Sequence, residues 1–265
     1  MNRFTAILFL TLAVAGCGNP GSGAPTPSAT SPTAPSPPTL SRNGVMGTVN
    51  DTAFRPLGGA RVEVVDGPQA GISTTVDANG AFSLSGTFDD ATRFRAAMEG
   101  HLTTIQASRT DLVGGRYVNF HLEVPAPPVN MTGDYTLTFV ADSACVGLPN
   151  EVRTRTYGAT ITPSHPTNIP TANTNFQVAL SGASFLPSQD SFPVGVAGDF
   201  VTFWFSDPAV VEVIAPSTQL ELYGAGGASA GTSGISTMAV SWEGNFEYSH
   251  TDCESKNHRL ILTRR

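Results

Sequence analysis

Four small constellations in this chain have the residue types and spacing to carry chemistry. Gly227-Ala228-Ser229-Ala230-Gly231 has the G-x-S-x-G spacing that can raise a serine as a nucleophile. That chemistry needs a strained strand-to-helix elbow, with an acid and a histidine behind it. Here the serine sits in a small-residue run, residues 224–234, between two strand-like stretches, and no helical pattern follows. A hairpin loop is the expectation. Asp77-Ala78-Asn79-Gly80 could open a calcium loop, but such a loop needs further oxygen ligands and a glutamate at its twelfth position, which is Phe88. Asn-Gly between alternating strands is a hairpin turn. His250, Asp252, Cys253 and His258 are close enough to suggest a metal, yet zinc needs Cys and His ligands paired at short spacing on both sides. Surface histidines beside an oxidised cysteine are expected instead, with no metal and no cofactor.

Arg153, Arg155 and Tyr157 alternate on one face of a strand. If that face turns into a barrel they could meet an anionic or sugar ligand; if it turns outward they are solvated arginines. Trp204 and Trp242 pose the same question, as core filling or as a sugar platform. Paired carboxylates, a phosphate-cradling loop and a Cys-His pair are not found. The expectation is a protein that is not an enzyme.

Whatever positions these residues must be built mainly from strands. The chain has 265 residues, with 27 Gly and 20 Pro, and no long stretch of helical periodicity. Only 13% of residues are charged and the net charge is −7. Nucleic acid needs clustered Lys and Arg, so it is not an expected partner. The three cysteines are an odd number for an exported chain until Cys17 is set aside. Cys145 and Cys253 then remain as a pair, for which a disulfide is the default in an oxidising compartment. The long loop it would close is worth roughly 4–5 kcal/mol on a chain-entropy estimate, an upper figure.

Arg3 precedes an apolar run over residues 4–14, too short to span a bilayer, which takes roughly 20 residues. A basic start, a short apolar core and small residues describe a cleaved export signal. Residues 17–41 are Pro, Ser, Thr, Ala and Gly with almost nothing to bury, so a disordered, semi-stiff tether is expected. From residue 42 to 124 the alternation of Val62 and Val64, of Phe82 and Leu84, of Phe94 and Ala96, and of Val118, Phe120 and Leu122 marks half-buried strands. Turn signals between them predict a β-sandwich. Pro125-Ala126-Pro127-Pro128 reads as a second tether. Residues 130–265 carry about eight more strand-like stretches, among them Ile235 to Val240 and Trp242 to Tyr248. Closing into a small antiparallel barrel would remove exposed edges, with a two-sheet sandwich as the other option. The fold class expected is therefore all-β.

Two resemblances sharpen this. Val14-Ala15-Gly16-Cys17 resembles the lipobox of bacterial lipoprotein signal peptides, which are cut before the cysteine. The resemblance implies a signal peptide over residues 1–16, a thioether-linked diacylglycerol on Cys17, and usually an N-acyl chain such as palmitate. Ordinary secretion is the alternative. Two or more acyl chains anchor stably where one does not. Gly18, where an aspartate would resemble an inner-membrane retention signal, favours the outer membrane.

The second resemblance starts at Gly47-Thr48-Val49 and continues through Pro56-Leu57-Gly58-Gly59-Ala60-Arg61-Val62 to Thr75-Val76-Asp77-Ala78-Asn79-Gly80-Ala81-Phe82 and Glu99-Gly100-His101. It is similar to the carboxypeptidase regulatory-like domains, which are transthyretin-like sandwiches. Val76 and His101 replace the family's usual threonine and tyrosine. The resemblance implies an accessory module without its own active site. The last domain vaguely resembles unnamed carboxy-terminal domains of bacterial lipoproteins and, by architecture alone, lipocalins. The functional expectation is a non-catalytic, lipid-anchored cell-envelope protein presenting two β-domains to a protein or carbohydrate partner. The alternative is a carrier of a hydrophobic or carbohydrate ligand inside the barrel.

Overall fold

The computed structural model describes residues 44–110, 115–164, 174–231 and 234–265. Every regular element among them is a strand. The expected fold class holds, a β-sandwich followed by a closed antiparallel barrel.

The sandwich has two sheets. One is built on β1 (Val45–Asp51), with β4 (Ala81–Leu84) antiparallel on one side. On its other side run β8 (Arg116–Tyr117) and then β9 (Phe120–Leu122), both parallel to it, and β7 (Arg109–Thr110) pairs with β8. The second sheet has the order β3 (Ser73–Thr75), β2 (Arg61–Val64), β5 (Arg93–Ala97), β6 (Thr104–Ala107). The period-two residues supply the core between them: Val62, Val64, Phe94, Ala96, Phe120 and Leu122 are all fully buried. Gly47 is glycine because a Cβ there would meet the Val118 carbonyl oxygen at 1.7 Å. The predicted Asn-Gly turn is present; Asp77 Oδ1 accepts from the N–H groups of Asn79 and Ala81, and Gly80 takes a φ of 80°.

The barrel runs β10 (Gly133–Val140), β11 (Thr154–Pro163), β12 (Asn175–Ser181), β13 (Ser191–Ala197), β14 (Phe200–Ala215), β15 (Thr218–Ser229), β16 (Thr237–Tyr248) and β17 (Glu254–Arg264). Each pairs antiparallel with the next, and β10 closes the ring on β17. The eight strands agree in number with the sequence reading but not in identity. Ile235 to Val240 and Trp242 to Tyr248 belong largely to one strand, β16, and β13 was not foreseen. Residues 224–229, expected in a hairpin loop, lie in β15.

The sandwich and barrel are not strung on a second tether. The Thr52 hydroxyl donates to the Val196 carbonyl of β13 at 2.6 Å, and the Arg55 guanidinium lies 4.1 Å over the Phe200 ring. The Val129 N–H donates to the Gly198 carbonyl at 2.8 Å. The proline-rich join at residues 125–128 connects two docked domains.

Candidate functional site

The barrel interior is filled by its own side chains. Trp242 sits at the centre of an edge-to-face cluster, 5.0 Å from Phe205 and 5.3 Å from Phe139 between ring centroids, with Phe246 stacked at 5.8 Å. Phe192 adds to it 5.5 Å from Phe205, and Tyr135, Leu137, Val178, Leu220 and Leu262 are all fully buried around them. Such aromatic pairs add about 0.5–1.5 kcal/mol each beyond their area. These rings and aliphatic side chains make up the described core of the barrel. Trp242 is core filling, as one reading had it.

Of the three alternating residues, Arg155 and Tyr157 lie on β11 and turn inward, and both are engaged by a residue that sequence reasoning missed. Glu212 on β14 is buried; it accepts from Arg155 Nε at 2.9 Å, forms a second bond to the same guanidinium, and takes the Tyr157 hydroxyl at 2.6 Å. Burial and the Glu212 carboxylate push the Tyr157 phenol well up, and Glu212 holds the Arg155 guanidinium charged. This closed cluster spends its donors on one internal carboxylate. Arg153 lies apart and donates to the backbone carbonyls of Asp142 and Ser143. Glu212 gave no sequence signal, because a bulge between Phe205 and Val210 resets the strand's alternation before it.

Cys145 and Cys253 form the predicted disulfide, with Cα atoms 5.6 Å apart, tying the loop after β10 to the β16–β17 hairpin where the barrel closes. His258, expected at the surface, lies fully buried beneath it. Its ring is 4.8 Å from Trp242 and 5.8 Å from Phe246, Nδ1 accepts from the Asp142 N–H at 3.0 Å, and Nε2 donates to the Cys253 carbonyl at 2.9 Å. Both ring nitrogens are thus committed to the loops that the disulfide joins. His250 and Asp252 are exposed, and no metal-binding cluster occurs among the described residues. Ser229 is exposed at the end of β15, opposite Phe200, and not on an elbow. Cys17 lies outside the described residues.

The site with most to offer lies where the domains meet. Fully buried Asp51 builds a tight turn by accepting from the N–H groups of Ala53 and Arg55 at 2.8 and 2.9 Å and from Arg55 Nε at 2.6 Å. The turn forces Phe54 to a φ of 63°, a strained value for a bulky side chain. It presents the Phe54 ring against β13 and β14, 6.4 Å from Trp204. Trp204 points away from the barrel interior and is 41% exposed. Asn50, Phe54, Pro193 and Trp204 line a cleft of about 450 Å3.

No protein-family model matches the chain, and no curated protein matches it. Among solved structures it is similar to a streptococcal ancillary pilin, at 13% identity and a TM-score of 0.22, over 68% of this chain. The chain covers 58% of that pilin's length. It is also similar to a Bacteroides fragilis NCTC 9343 protein of unknown function described as membrane-associated. That match has 8% identity and a TM-score of 0.24, over 84% of this chain and 94% of the other. Likeness at these scores carries no argument about activity.

Proposed function

We propose that this protein is a non-catalytic lipoprotein of the bacterial cell envelope, presenting a docked pair of β-domains whose outer surfaces bind. The observation that carries the reading is Val14-Ala15-Gly16-Cys17 behind a short apolar run with one basic residue. Acyl chains on Cys17 hold it to the membrane, with the outer membrane favoured by Gly18, and residues 18–41 space the domains from the headgroups. The likeness of the first domain's motifs to carboxypeptidase regulatory-like modules supports an accessory role for it. The aromatic rings buried together in the barrel core support function at the exterior.

Replacing the acyl acceptor tests this reading. In cells expressing Cys17→Ser, the protein is expected to move from the membrane pellet to the soluble fraction. Retention of the variant in the pellet would contradict the anchor.

A further inference from the structure

The cleft at Trp204 does not end at the domain boundary. Tyr117, Asn119 and His121 alternate with buried Val118, Phe120 and Leu122, so they stand together on the outer face of the first sheet. They line a hollow of about 270 Å3 with Gln106, Ala107, Arg109 and Val118. His121 is the direct strand partner of Asn50, and its ring meets Phe54 edge-on at 6.3 Å. Hollow and cleft therefore form one path: Tyr117, Asn119, His121 with Asn50, then Phe54, then Trp204. Tyr117 and His121 are about 13 Å apart at the usual strand rise, and two further ring-to-ring steps of 6.3 and 6.4 Å reach Trp204.

The chemistry of this path is specific. Aromatic rings recur along it, between them stand the hydrogen-bonding groups of Asn50, Asn119 and His121, and Arg109, the strand partner of Tyr117, stands at one end. The Asn119 Oδ1 is held by the N–H and hydroxyl of Thr48, which fixes the amide's orientation. The His121 Nδ1 is buried and has no hydrogen-bond partner among the described residues. Burial also pushes the His121 imidazole below its usual pKa of 6.5, which keeps it neutral at pH 7. The residues lining the hollow and the cleft include no carboxylate. A wholly apolar ligand would leave the groove's amide groups unsatisfied. A polyanion would want clustered cations, whereas the lining of hollow and cleft supplies the single cation Arg109 in a chain whose net charge is −7. A chain of sugar rings satisfies both kinds of group. Its C–H faces lie against the negative faces of the aromatic rings, and its hydroxyls donate to and accept from amide and imidazole.

We infer that the groove running from Tyr117 through His121 and Phe54 to Trp204 binds a linear polysaccharide of neutral or N-acetylated sugars, several rings at a time. The left-handed φ of Phe54 serves this site: Asp51 spends its hydrogen bonds holding that ring between His121 and Trp204. The inference deepens the reading that the exterior binds, and it does not depend on the anchor. A failed titration would therefore leave the Cys17→Ser result standing, and the reverse also holds.

The test is calorimetric titration of the full chain in detergent micelles with cellohexaose, chitohexaose and mannohexaose. At least one hexasaccharide is expected to bind saturably. Trp204→Ala and Tyr117→Ala, at the two ends of the groove, should each weaken that binding at least tenfold. Tyr223→Ala removes an exposed ring, 46% accessible, that does not line the groove, and should bind as the wild type does. Absence of heat with all three sugars up to about 1 mM would overturn the inference. So would wild-type affinity in either groove variant, or an equal loss in Tyr223→Ala, which would mark a general apolar surface that suits a protein partner.

Discussion

At the scale of single residues, the fold commits its few buried polar groups to geometry, and His258 shows the energetic consequence. Its ring is neutral, with the proton on Nε2, because Nδ1 faces the Asp142 N–H. Burial among Trp242 and Phe246 holds its pKa below the usual 6.5. In the unfolded chain the imidazole takes a proton as pH falls through 6.5, while in the fold it resists. The unfolded state then binds more protons, so stability is fully present above pH 6.5 and declines as pH drops toward the folded value. His121, also lowered by burial, acts with the same sign. Asp142 is held at about 2, chiefly by the Ala144 N–H and the Ser255 hydroxyl, so its contribution is lost only as pH falls from 3.8 toward 2. The urea midpoint is accordingly expected to fall between pH 7.5 and pH 5, and His258→Gln should flatten that dependence. An unchanged slope in the variant would show that the buried imidazole is not its source. The disulfide was legible once the lipobox resemblance set Cys17 aside, since that left one pair. The roles of His258 and Glu212 were not legible, because burial of a polar residue is decided by partners far along the chain.

At the scale of elements, alternation made most of the sandwich readable and misled in the barrel at identifiable places. Pro193 and Gly195 make β13 look broken. Pro193 is tolerated because β13 pairs with β14 only from Val194 to Ala197, which leaves the proline at a locally unpaired edge. Gly195 is required because a Cβ there would come within 2.6 Å of the Phe54 ring and 2.7 Å of the Thr52 carbonyl oxygen. The glycines of β15 look like a loop for a related reason. A Cβ at Gly226 would meet the Trp242 Cβ at 2.9 Å, and one at Gly227 the Phe200 ring at 2.8 Å. In both strands a neighbour occupies the space of the missing side chain, which a single strand's periodicity cannot register. Gly195→Ala should therefore loosen the docked turn, at a cost of about 1–3 kcal/mol, and raise amide hydrogen exchange at Ala53 and Arg55. Unaltered protection at those amides would show that the contact does not hold the domains together. The outer face of the sandwich groove was legible in principle, since Tyr117, Asn119 and His121 are the residues skipped by the buried alternation of Val118, Phe120 and Leu122.

At the scale of the whole molecule, a closed barrel with a disulfide beside its closing strands carries a sandwich docked through the turn that Asp51 builds. Each domain has its own cluster of buried apolar side chains, and the proposed groove reaches from the sandwich to Trp204 of the barrel. An amino-terminal anchor with a proline-rich spacer suits such a molecule, because it sets a binding surface at a distance from the bilayer. The anchor is the claim on which the cellular account turns. The most direct measurement of it is the mass of the amino-terminal peptide released by protease from membrane-extracted protein. The account predicts a peptide that begins at Cys17 and carries a diacylglyceryl thioether with or without an N-acyl chain. A peptide that retains residues before Cys17, or one that begins there with a free thiol, would contradict it.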